Sequence, residues 1–195
     1  MWGELSYPNG MVKDSNTGKQ TLAEGRHLRF VVSNGWEFVE RPKISGIVVI
    51  VGTTDHGGLV LVSQWREPVK AWVVELPAGL AGDLAGSETE PLAEAAKREL
   101  WEETGFVAES MVPILEGPPS AGLSSEVVTF FRARGVKRLG RGGGEGDERV
   151  RTHVVPLSVL EDWVAARQAN GMLVDPKVFA GVYWVRKEME EGLYE

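Results

Sequence analysis

RELWEETG, residues 98–105, sets three glutamates, Glu99, Glu102 and Glu103, within one turn at the end of an expected helix. At spacings of three and four residues these side chains are neighbours on one helical face, where like charges repel by about 0.2–0.5 kcal/mol per pair. Thr104-Gly105 reads as a C-terminal stop, and a helix C-terminus carries roughly half a negative charge of its own. Carboxylates where a helix favours Lys or Arg point to a function that outweighs local stability. Hard oxygen ligands at this density suit Mg²⁺ or Mn²⁺, which keep waters and substrate phosphates as further ligands. A solvated, Glu-rich helix face is the alternative that spacing alone leaves open.

Working outward, Leu92, Ala95, Ala96 and Leu100 form an apolar stripe, and Pro91 sits where a first turn tolerates its missing N–H. A helix is therefore expected from about Pro91 to Glu103. Upstream, LRFVV (28–32) and WEFVER (36–41) flank Ser33-Asn34-Gly35 in a hairpin pattern. SGIVVIVGT (45–53) and LVLVSQW (59–65) are near-continuous apolar runs around a turn, the pattern of buried strands in a central sheet. AWVVELPAG adds a strand and a turn, and AGDLAGSET (81–89) is a Gly-rich polar loop. VVTFFRARG (127–135) and VRTHVVPL are further strands, LGRGGGEGDE (139–148) is glycine-rich, and helices are expected over 158–169 and 176–191. The order fits an α/β or α+β sandwich.

Composition narrows the class. A chain of 195 residues can bury one substantial core. A net charge of −7 and a pI near 5.1 argue against a general nucleic-acid or membrane surface. No cysteine is present, which excludes disulfides, thiolate chemistry and zinc ribbons. The start MWGELSYPNG lacks the basic and apolar regions of a signal peptide, no apolar run approaches a membrane span, and cytoplasm is the expected compartment.

The run Glu90-x7-Arg98-Glu99-Leu100-x-Glu102-Glu103-x-Gly105-Phe106 resembles the signature of the Nudix hydrolases, G-x5-E-x7-R-E-U-x-E-E-x-G-U with U apolar. The sequence departs from it at the first position, where Leu84 replaces the glycine. Gly79, ending ELPAG, is the expected counterpart, with about five extra residues looped out within 81–89. WEFVER, QWREPV, ELPAG and PPSAGLSSE (118–126) resemble the ADP-ribose pyrophosphatases and related nucleoside-diphosphate-sugar hydrolases. The resemblance implies an α/β/α sandwich with a mixed central sheet. It also implies an N-terminal antiparallel β extension, residues 1–43, ahead of a catalytic domain, residues 44–195.

A pyrophosphate linkage repels a hydroxide nucleophile, so its hydrolysis needs cations and a base for the water. Glu99 and Glu103 are the leading metal ligands, with Glu102 beside them. The resemblance adds the main-chain carbonyl of Ala78 to this set. It places Arg98 on the side away from the metal, tied to the loop or to Glu90. It puts the catalytic base on the loop before Val155-Pro156-Leu157, with Glu148 first, Glu145 second and Asp147 a further alternative; a merely solvated loop tip is the competing reading. Arg66 is expected on the diphosphate, Trp36, Glu37 and Arg41 at the nucleobase, and Glu126 on the sugar side, where Ala121 departs from the group's second proline. Trp36 as plain packing is the alternative. His27, His56 and His153 read as surface or strand residues. The extension carries Trp2, Trp36 and Phe38, more aromatic surface than a small hairpin can easily bury, and the resemblance implies a homodimer that shares its nucleobase site.

Overall fold

Strand β4, Gly46–Thr54, explains the layering of the molecule. Its side chains alternate across the sheet, as a pleated strand requires: Val48 and Ile50 enter one buried cluster and Val49 and Val51 another. Both faces are covered, which is why the sequence there reads as an unbroken apolar run rather than an alternating one. The computed structural model describes residues 18–84, 86–144 and 149–192.

Strands β1 (Lys19–Glu24), β2 (Arg29–Ser33) and β3 (Trp36–Glu40) form a separate antiparallel sheet in that order. The expected hairpin is β2–β3, with Ser33 opposite Trp36 across the Asn34-Gly35 turn. The larger, mixed sheet begins with β4, β5 (Gly58–Arg66), β6 (Ala71–Glu75) and β7 (Ala78–Ala81). Helix α1, Leu92–Thr104, follows the polar loop and leads into the two-residue strand β8 (Phe106–Val107) and β9 (Ser110–Gly117). Next come β10 (Val128–Arg138), β11 (Arg151–Pro156), helix α2 (Leu160–Ala169), the short β12 (Leu173–Val174) and helix α3 (Lys177–Glu190). The path runs β12-β6-β5-β4-β10-β8, with β11 also on β5, β7 on β4 and β9 on β10. β10 lies parallel to β4 and β12 parallel to β6; the remaining pairs are antiparallel.

Helix α1 covers one face through Ala95, Ala96 and Leu100, all fully buried against Val48, Ile50 and Val60. On the other face Leu160 and Val164 of α2 and Val178, Val182 and Val185 of α3 pack on Val49, Val51, Leu61 and Val74. The result is the expected α/β/α arrangement. The strand β9 carries a weak sequence signal because Pro113 interrupts it. Proline donates nothing to a ladder and is confined to edges or irregular register; β9 pairs only with β10, and its register slips beside the Phe131–Pro113 pair.

Candidate active site

Helix α1 ends at Gly105, whose φ of 71° is left-handed and whose N–H closes on Trp101 O. That terminus, with no basic residue in the last turn, carries the glutamates. Glu103 is buried, and its Oε2 accepts the N–H of Ala78 at 3.1 Å. Glu99 lies against Gly79. An ideal Cβ there would sit 2.0 Å from Glu99 Cδ, so only glycine leaves room for the carboxylate. This contact fits Gly79 as counterpart of the displaced signature glycine. Burial pushes the Glu99 carboxyl up to about 7, against the opposing pull of Arg98.

The guanidinium of Arg98 does not lie on the side away from the glutamates. Its Nη1 donates to Glu99 Oε1 at 2.8 Å and to Glu102 Oε2 at 3.0 Å. Its other edge makes the expected tie to Glu90, with Nε to Oε1 at 3.1 Å and Nη2 to Oε2 at 3.2 Å, and Nη2 also reaches Leu80 O at 2.8 Å. Asp83 stands 3.6 Å away. Adjacent on the helix, Arg98 and Glu99 turn toward each other, and the planar guanidinium serves several carboxylates at once. The hydrogen bond from Arg98 holds Glu90 below the usual carboxylate range.

Among the described residues no three Asp, Glu or His side chains are grouped as a metal ion would need them: Glu99 and Glu102 turn to Arg98, and Glu103 to the Ala78 N–H. Ala78 thus meets Glu103 through its amide. The donor set is nonetheless all oxygen, half-buried and short of positive charge, which fits a hard divalent cation and no softer one.

Glu99 and Glu103 open into a cavity of about 420 Å³, whose wall also carries Arg41, Gln64, Arg66, Glu75, Asp83, Glu126 and Lys177. Arg66 is held by Glu75 through Nε contacts of 3.0 and 3.1 Å and an Nη2 contact of 2.8 Å. Arg41 Nε donates to Glu126 Oε1 at 3.1 Å. Arg41, Arg66, Ala78, Glu99, Glu103 and Glu126, widely spaced in sequence, therefore share one cavity. Trp36 and Glu37, on β3, are not on its wall, and Trp36 is 66% exposed. Glu145, Asp147 and Glu148 lie outside the described residues. The flanks of that segment dock on the end of α1: Gly143 and Gly144 donate to the carbonyls of Glu103 and Glu102 at 2.9 and 3.0 Å, and Thr152 Oγ1 to Glu103 O at 3.2 Å. Glu75 and Lys177 are additions to the expected wall. Glu75 had a signal, as the first residue of ELPAG beside QWREPV; Lys177 had none.

His153, half-buried on β11, bonds Ser63 Oγ at 2.8 Å and packs edge-on to Trp163, away from this cavity, as a strand residue should. Burial, aided by Arg167 and Arg151, holds its pKa below the usual value. No helix among the described residues is long and apolar enough to cross a membrane.

The glutamate helix, the glycine beneath it and the mixed sheet define a class: the NUDIX domain family matches residues 42–176, and the chain belongs to it. Within that family, an ADP-ribose pyrophosphatase of Bacillus subtilis is 37% identical over 97 residues, 50% of this chain and 48% of that protein. The chain thus spans about half of that relative. A methanol dehydrogenase activator of Bacillus methanolicus is 32% identical over 158 residues, 80% of this chain and 78% of that one. A crystal structure of an ADP compounds hydrolase superposes with a TM-score of 0.65, covering 98% of this chain and 100% of the other at 20% identity, a likeness of fold.

Proposed function

We propose that the protein hydrolyses the pyrophosphate bond of ADP-ribose or a related nucleoside-diphosphate sugar in a Mg²⁺-dependent reaction, releasing a nucleoside monophosphate and a sugar phosphate. One observation carries the reading: the carboxylates Glu99 and Glu103 and the guanidinium of Arg66 share one cavity wall. A diphosphate bridging them would meet metal-held charge on one side and an arginine fork on the other. The relative named as an ADP-ribose pyrophosphatase supports the choice of substrate.

Members of the family generally use divalent metal ions, and Glu99, Glu103 and Glu102, with the Ala78 carbonyl, would hold Mg²⁺ or Mn²⁺ here. The ion, when bound, supplies charge neutralisation at the phosphates and lowers the pKa of a coordinated water. The chain's own work is positioning. Arg66 orients the diphosphate with Glu75 fixing its fork, and Arg41 and Glu126 line the nucleoside and sugar sides. Arg98 restrains the glutamates and Glu90. Glu148, or in second place Glu145, takes the proton of the attacking water. Residues 1–43 form the extension and 44–195 the catalytic unit. In a homodimer Trp36 and Glu37 would serve the partner's nucleobase site, which accounts for their absence from this chain's own cavity wall. The expected compartment remains the cytoplasm.

A second reading is favoured by the Bacillus methanolicus relative, whose name concerns activation of a dehydrogenase and not ADP-ribose. On that reading the same centre cleaves another nucleotide, such as a dinucleotide or a nucleoside triphosphate. The test is a phosphate-release panel of nucleoside-diphosphate sugars, dinucleotides and triphosphates with Mg²⁺ and Mn²⁺. ADP-ribose is expected to lead; a dinucleotide turned over faster moves the assignment to the second reading, and no turnover of any member sinks both. Glu148→Gln should lower kcat by about two orders of magnitude or more at nearly unchanged KM, because the residue acts only on the water. That pattern in Glu145→Gln instead moves the base there.

A further inference from the structure

We infer that Lys177 is a phosphate-binding, specificity-determining residue of the cavity, a third cation that recognises a diphosphate beside Arg66. This deepens the substrate reading above and rests on it for the identity of the nucleotide.

Three cations line the cavity, and each is tethered to a carboxylate of its own: Arg41 to Glu126, Arg66 to Glu75 and Lys177 to Asp175. The third pair is built with care for geometry. Asp175 N donates to Val74 O at 2.9 Å, pinning the turn before α3 to β6, one residue from the Glu75 that holds Arg66. The parallel β12–β6 pairing, Val174 opposite Val74, fixes the same turn from the other side. The Asp175 carboxylate then accepts the Lys177 backbone N–H at 2.8 Å through Oδ1 and the Lys177 ammonium through Oδ2. The end of β6 therefore sets both Arg66 and Lys177 on the cavity wall.

Lysine side chains are flexible and strongly hydrated, and a surface lysine gains little from one carboxylate. Lys177 is 29% exposed and Asp175 15%, so this pair is drawn out of water at the edge of a cavity. An ammonium held there has a use when an anion arrives, because charge-assisted contacts strengthen where water is excluded. A diphosphate diester carries two negative charges, and Lys177 adds a compact charge on the wall that Arg66 already lines. Lys177 is also the first residue beyond the span 42–176 that matches the family, so this cation comes from an element outside the matched core. Asp175 is a positioning residue in this scheme.

The test uses the full chain and the variants Lys177→Met and Lys177→Arg. Lys177→Met is expected to raise KM for ADP-ribose about tenfold or more with kcat little changed, as loss of one charged hydrogen bond implies. Lys177→Arg should recover most of that loss, since only the charge and a donor are needed. A purely structural role would move the melting temperature and leave this split and this rescue unseen. Calorimetric titration with inorganic pyrophosphate and Mg²⁺ is the second arm, expected to show about tenfold weaker binding in Lys177→Met. Unchanged KM and unchanged pyrophosphate affinity in Lys177→Met overturn the inference, as does a wild-type protein that binds no pyrophosphate. A wild type that binds pyrophosphate through Lys177 but leaves ADP-ribose intact sinks the substrate reading and keeps this one.

Discussion

Arg132 and Arg98 both pair with glutamate, with opposite ratios of cation to carboxylate. Arg132, on β10, is 1% exposed and fully committed: Nε to Glu188 Oε2 at 2.8 Å, Nη1 to Val51 O and Ala133 O at 3.1 and 2.8 Å, Nη2 to Thr53 Oγ1 at 2.8 Å. Arg134 joins the same Glu188 at 2.8 and 3.1 Å, so two cations share one carboxylate and three main-chain or hydroxyl acceptors complete the set. Arg98 lies within 3.6 Å of four carboxylates, those of Glu90, Glu99, Glu102 and Asp83. The first cluster is a knot that ties α3 to the sheet. The second gathers several carboxylates around one guanidinium, and Glu99 of that cluster opens into the cavity. A buried pair with its partners satisfied speaks of architecture, and an unbalanced one at a cavity speaks of a ligand.

The largest effect that would sharpen this contrast is on turnover. Glu103→Gln is expected to lower kcat by about three orders of magnitude, since metal-held charge supplies several kcal/mol at the transition state. Metal-free stability should hold or rise slightly, because a like charge leaves a helix C-terminus. Steady-state kinetics and a metal-free melt check both halves; wild-type turnover breaks the contrast.

Glu188→Gln should do the reverse. Removing one partner of a buried ion pair costs about 3–5 kcal/mol of stability, while kcat at a temperature where the protein stays folded should match wild type. Chemical denaturation measures the first and an assay the second. A stable variant would show that the knot is dispensable.

Arg98→Met should destabilise the metal-free protein, because Glu90, Glu99 and Glu102 lose their shared counter-charge. Saturating Mg²⁺ should recover part of that loss, whereas it should recover none of the loss in Glu188→Gln. Melts with and without the ion separate the two clusters directly.

The smallest effect concerns His153. Its folded pKa is lowered, so the unfolded chain binds the proton more readily between the two values. Stability from this residue is present above about 6.5, the unfolded value, and is lost as pH falls through it toward the folded one. His153→Gln should flatten that acid-side decline, as read by denaturation at a series of pH values; an unchanged profile would remove His153 from the account.

What was legible in the sequence follows the range of the interactions. The β2–β3 hairpin, the buried runs of β4 and β5 and the stripe of α1 are written in local periodicity, and their observed bounds fall close to those expected. The glutamates stood out because they violate local electrostatics, and such a violation is visible without a fold. The Glu103–Ala78 contact, the Glu75 fork on Arg66 and the arrival of Lys177 at the cavity are made by strand register and chain return, which leave no mark on neighbouring residues. Arg132 shows the same limit. It sits inside VTFFRARG like a surface charge on a strand, and its partner Glu188 lies fifty-six positions away. Arg98 makes the expected tie to Glu90, and its further bonds to Glu99 and Glu102 were not legible because a long guanidinium can swing to nearby carboxylates.

The central claim is that the carboxylate excess around Arg98 is a divalent-cation site. Thermal unfolding of the full chain as Mg²⁺ is titrated, in wild type and in a Glu99→Gln/Glu103→Gln double variant, tests it most directly. An ion that binds only the folded state adds about 2.7 kcal/mol at a hundredfold excess over Kd. The melting temperature of wild type should therefore climb with Mg²⁺ and that of the double variant should stay level. A level wild type, or an equal climb in both, would contradict the claim.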